Sequence, residues 1–107
     1  MGLELVRDNI LIRVDGDALD VWTHQYFSRF PLAWLVVRAQ ALKKDRLLLH
    51  IGLNNVDQAL YAATNKQPAA YQILTIGIDA EEEPQYRAFF AQVAQLCGRT
   101  VAAADQS

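Results

Sequence analysis

Cysteine is almost absent from this sequence, and so are long apolar runs, an excess of positive charge and clustered histidines. The single thiol, Cys97, rules out an internal disulfide. It falls on an apolar helical stripe and reads as a packed core thiol, since redox and nucleophilic thiols need accessible, electropositive settings. The longest apolar run, residues 31–37, is far short of the roughly 20 residues that cross a bilayer. The N-terminus has no basic segment leading into an apolar one, so a cytoplasmic protein without a secretory leader is expected. Ten Lys and Arg stand against twelve Asp and Glu, a formal net charge of -2. That balance offers no general attraction to nucleic acid or to anionic lipid. His24 and His50 have no Cys, His or carboxylate at metal-ligand spacing, so no metal and no cofactor are implied. Ser28, the only serine before Ser107, lies in no Gly-x-Ser-x-Gly context. Glu81, Glu82 and Glu83 are consecutive at a helix entry and are expected to point into water, whereas acid-base pairs are held across a cleft. The reading is therefore no enzyme.

What is present is an ordinary folding composition, 52% hydrophobic and 21% charged over 107 residues. It predicts one domain over residues 1–101 followed by a loose tail, 102–107. Residues 9–14 and 19–23 alternate in the period of a strand, and Asp15-Gly16-Asp17-Ala18 between them supplies a tight turn, so the two should form an antiparallel hairpin. Residues 24–31 read as a connection anchored by aromatics, because Pro31 cannot donate to a central ladder. Residues 32–41 and 46–51 are nearly continuous apolar runs joined at Lys43-Lys44-Asp45, a second hairpin. Residues 56–62 are open between strand and helical turn, 64–68 form a loop, and 71–78 return to strand. The chain then changes period. Tyr86, Phe89, Phe90, Val93, Leu96 and Cys97 make one helical stripe, with Pro84 fitting the first turn and Gly98 the left-handed position after the last. The expected fold class is α+β, mainly β: a small antiparallel barrel or two orthogonal sheets of five to seven strands, closed by one C-terminal helix.

That order of elements, from Leu3 to Gly98, resembles the pleckstrin-homology-like superfold, in which a C-terminal helix plugs one end of two sheets. Gly16-Asp17-Ala18-Leu19-Asp20-Val21, followed by Arg29-Phe30-Pro31-Leu32-Ala33-Trp34-Leu35, is similar to the way bacterial domains of this class run one strand into the next. The resemblance implies a binding platform, not a particular ligand. Members that bind phosphoinositides carry Lys and Arg around the first hairpin, where this chain has Asp15-Gly16-Asp17 and only Arg13.

The function expected is a protein-interaction or scaffold module whose partner is a foreign protein or a second copy, bound at a sheet edge or at an aromatic patch. Tyr26, Phe27 and Phe30 are the candidate partner-binding residues, because three aromatics in a connection exceed what solubility favours. Trp22 and Trp34 are assigned to the core, although alternation puts Trp22 on the face of Asp20, opposite Leu19 and Val21. The alternative is an anionic lipid-headgroup or small-molecule binder using Lys43, Lys44 and Arg46, or a cavity inside the barrel. Those cations equally suit a solvated hairpin tip.

Overall fold

The structure, a computed structural model, describes residues 3–7, 9–54, 59–64 and 74–101. Eight strands lie among them: β1 (Glu4–Arg7), β2 (Ile10–Asp15), β3 (Ala18–Trp22), β4 (Phe27–Pro31), β5 (Leu35–Ala41), β6 (Arg46–Leu53), β7 (Tyr61–Thr64) and β8 (Leu74–Asp79). A single turn of 3-10 helix, Ala80–Glu82, leads into α1 (Glu83–Leu96). The first sheet is an antiparallel meander in the order β1-β2-β3-β4, and the second has the order β7-β5-β6-β8.

Mainly β with one closing helix is what the periodicities predict, and of the two arrangements expected, a barrel or two sheets, the described strands form two sheets and no closed barrel. Two details differ. Eight strands lie among the described residues rather than five to seven, because β1, β4 and β7 are short edge strands with mixed composition. The second sheet is not wholly antiparallel: β7 lies on the far side of β5 from β6 and runs parallel to β5. β7 starts at the end of the sheet where β6 finishes and β5 begins, and so runs in the direction of β5.

Local sequence explains the turns. Asp15 pairs with Ala18, so Gly16 and Asp17 form a two-residue loop, and Gly16 takes φ +66° at its first position. Glycine is favoured there, as in the II′ turns that match strand twist. Residues 24–31, expected as a connection, hold β4, and its Pro31 ends an edge strand where a missing donor is tolerated. Residues 32–34, expected as strand, are turn, which leaves Trp34 55% exposed instead of in the core.

At the second hairpin both Lys44 and Asp45 adopt positive φ, 57° and 62°. A side chain in that region costs about 1 kcal/mol, least for Asn and Asp. Lys44→Asn is therefore expected to raise the unfolding free energy by about 0.5 kcal/mol in urea melts. No gain would mean that the turn does not keep this geometry in solution.

The core fills the space between the sheets and α1. Ile12, Leu19, Val21, Leu35, Val37, Leu49, Ile51, Phe90 and Val93 are fully buried. Of the helical stripe, Tyr86, Phe89, Phe90 and Val93 are inside and Cys97 is partly buried against the core, while Leu96, at the border of the stripe, is 62% exposed. Gly98 takes φ +71°, as the cap reading requires. Arg99 folds back so that its Nη1 donates to the carbonyls of Leu32 and Leu35 at 2.9 and 2.5 Å, tying the chain after α1 to the β4–β5 turn. The open reading of residues 56–62 is settled only in part: Tyr61 begins a strand, and 56–58 lie outside the described residues, as do most of the 64–68 loop, residues 71–73 and the tail 102–107.

Candidate functional site

The first sheet buries one face and shows the other to solvent. Period-two alternation sends Leu5, Ile12, Val21, Leu19 and Phe30 inward. Two cross-strand rows of outward residues, read from the register, run through all four strands. One row is apolar: Val6 on β1, Leu11 on β2, Trp22 on β3 and Phe27 on β4. The other is charged with alternating sign: Glu4, Arg13, Asp20 and Arg29.

The apolar row is open, with Val6 64% and Phe27 52% exposed. The Trp22 and Phe27 rings touch, their centroids 4.9 Å apart at 37°. The Arg13 guanidinium lies 5.0 Å over the Trp22 ring, a cation–π contact that links the two rows. Tyr26 stands beside them at the tip of the β3–β4 connection, 62% exposed. Thr23 holds that tip: its Oγ1 accepts the Tyr26 and Gln25 amides at 3.0 and 3.3 Å, and its own amide donates to the Tyr26 carbonyl at 2.8 Å.

In the charged row Asp20 is 2% exposed. Its Oδ1 lies 3.4 Å from the Arg29 Nε but accepts no hydrogen bond among the described residues. Arg29 also reaches Asp15 at 3.1 Å. A buried carboxylate oxygen short of a donor is costly, and Asp20 sits near the middle of the face.

The candidate residues separate on this geometry. Tyr26 and Phe27 are exposed and adjacent to the apolar row. Phe30 is not with them: it pairs with Leu19 across the inward-facing row and is 2% exposed, a core residue. Trp22, assigned to the core, is half-buried on the outer face, the side its alternation indicated. The row as a whole was not legible, since Val6 and Leu11 join it only through strand register.

The basic hairpin is largely neutralised. Arg46 donates to Asp79 Oδ1 at 2.9 Å, and the hollow beside Lys44 is lined by Asp45, Asp79 and Glu81. Three carboxylates around one lysine make a poor anion site. The next two acids, Glu82 and Glu83, do structural work. Glu82 accepts the Asp79 amide at 3.0 Å and the Arg7 guanidinium at 2.6 Å; the Asp79 amide first, then Arg7, holds its carboxyl below the ordinary value. Glu83, expected in water, is 8% exposed, accepting the Tyr61 hydroxyl at 2.5 Å and chelated by Arg87.

No family model, curated protein or solved structure matches this chain. His50, 6% exposed on the outer side of the second sheet, bonds Gln40 Oε1 through Nε2 at 2.7 Å and Thr75 Oγ1 through Nδ1 at 3.4 Å. The amide oxygen only accepts, so Nε2 carries the proton, and burial lowers the imidazole pKa and keeps it neutral. Among the described residues no three His, Cys, Asp or Glu are grouped to hold a metal ion. Among the described residues no helix is long and apolar enough to cross a membrane. A cleft of about 300 Å³ lies between the β3–β4 connection and β8, with His24, Tyr26 and Thr75 on its walls.

Proposed function

We propose that this chain is a non-catalytic, cytoplasmic protein-interaction module of pleckstrin-homology-like fold that binds its partner through the outer face of the first sheet. The observation that carries the reading is the apolar row Val6–Leu11–Trp22–Phe27, continued by Tyr26. Large apolar side chains in one exposed stripe bordered by charges are the composition of a binding patch, with aromatics and Arg the residues most enriched at hot spots. The fold assignment is supported by a four-stranded meander, a second sheet and one C-terminal helix in that order. The strand β7, parallel to β5, is an addition to the all-antiparallel pattern.

A photoreactive phenylalanine analogue placed singly at Val6, Phe27 or Leu96 tests the face in a native cell extract. All three sites are over half exposed, but Leu96 lies at the end of α1. Protein cross-links are expected from Val6 and Phe27 and not from Leu96. Equal yields from all three would sink the reading.

A further inference from the structure

We infer that the occupant of this face is a second copy of the chain, docked about a two-fold axis that runs along the strands between β2 and β3. The inference rests on the proposed use of the face and names its partner. It is carried by the order of charges across the sheet, Glu4, Arg13, Asp20 and Arg29, one residue per strand in continuous register.

The sequence of signs in that row is minus, plus, minus, plus, so reading it backwards reverses every sign. A half-turn about an axis along the strands exchanges β1 with β4 and β2 with β3. Each residue then faces the opposite charge: Glu4 meets the second copy's Arg29, and Arg13 meets the second copy's Asp20, each pair made twice. The apolar row obeys the same operation, setting Val6 against Phe27 and Leu11 against Trp22. A two-fold axis laid across the strands would instead set every charge on its own copy. The complement of this ladder is thus the ladder itself, which is the requirement for an isologous interface.

Asp20 stands on β3 beside the axis but lies low in the row, 2% exposed and 3.4 Å from the Arg29 Nε, with no hydrogen bond to its Oδ1 among the described residues, so the second copy's Arg13 reaches it as Arg29 swings away. Arg29, shared between Asp15 and Asp20 and 51% exposed in its side chain, is free to turn toward the second copy's Glu4. Sheets packed face to face cross at about -30°, an angle small enough for the long Glu4 and Arg29 side chains to meet at the corners. Four strands at ~4.8 Å and five residues at ~3.3 Å make a face of about 19 by 17 Å. That is below the roughly 800 Å² per partner of a stable complex, so the dimer is reversible and micromolar.

Sedimentation equilibrium of the wild type, of Glu4→Arg and of Arg29→Glu, and of a one-to-one mixture of the two variants tests this. Each variant alone opposes like charges twice, and about a tenfold weaker dimer is expected. In the mixed dimer all four pairs are again opposite, and the wild-type constant should return. Positions 4 and 29 are three strands apart, ~14 Å, so no contact within one copy can produce that recovery. If Arg29→Glu does not fold, Val6→Lys mixed with Phe27→Glu makes the same test at two exposed positions. A wild type that stays monomeric into the high micromolar range overturns the second copy as occupant, while cross-linking from Val6 and Phe27 separately decides the use of the face. A dimer unaffected by any variant, or weakened without recovery on mixing, overturns the inferred arrangement.

Discussion

Phe90→Ala is expected to lower the unfolding free energy by about 3–5 kcal/mol, the cost of removing a buried ring and leaving part of its volume empty. Phe90 has no exposed surface, stacks on Tyr61 with centroids 5.7 Å apart and meets Phe89 edge-on at 5.2 Å. It is the point where α1 touches β7, so the cavity would open between the helix and the second sheet. A domain of this size commonly has about 5–15 kcal/mol of stability in all, so one substitution removes a large share. Thermal melts should show the midpoint falling by roughly 4–8 °C for each kcal/mol lost. A fall of only a few degrees would show that α1 is not packed on the sheets through this ring.

The second large effect belongs to the polar group beside it. Arg87→Ala is expected to cost about 2 kcal/mol at neutral pH, within the range for hydrogen bonds to a charged group. Burial pushes the Glu83 carboxyl up, but the hydrogen bonds from Arg87 and Tyr61 outweigh it and hold the group below its ordinary value of 4.5. Its stabilisation is therefore full above that ordinary value and is lost as pH falls through the lower, folded-state one. Without Arg87 the burial effect prevails, and Glu83 gains a proton at higher pH. In acid the carboxyl is neutral in both proteins, so the difference between them should close. The Arg87 side chain is 43% exposed, which keeps the figure well below that of a fully buried ion pair. Urea melts of both proteins at neutral and acid pH measure it; a difference that does not change with pH would assign Arg87 to packing alone.

The parts of this fold that depend on local chemistry were legible. Pro84 and Gly98 bound α1, and Gly16 makes the β2–β3 turn, because each acts through its own backbone. Three of the four edge strands were not: β1 is only four residues long, β4 ends in a proline that argues for a connection, and β7 follows a crossover that no run of residues announces. The binding face lay between these cases. The outward parity of Trp22 could be read from Leu19 and Val21, but its neighbours Val6 and Phe27 come from strands whose register is fixed by pairing over distance. Phe30 looked like Phe27's companion and is its opposite, since three residues along a strand reverse the face. Glu83 misled for the same reason: its partner Tyr61 arrives from a strand far upstream.

The return of the chain after α1 has a consequence for strand addition. The Leu60 amide donates to the Thr100 carbonyl at 2.8 Å, and Tyr61 forms a parallel bridge with Val101. The backbone groups at the start of β7 are thus spent within the molecule. A passing strand finds the first ladder position of that edge already occupied, which hinders the edge-to-edge polymerisation that open rims invite.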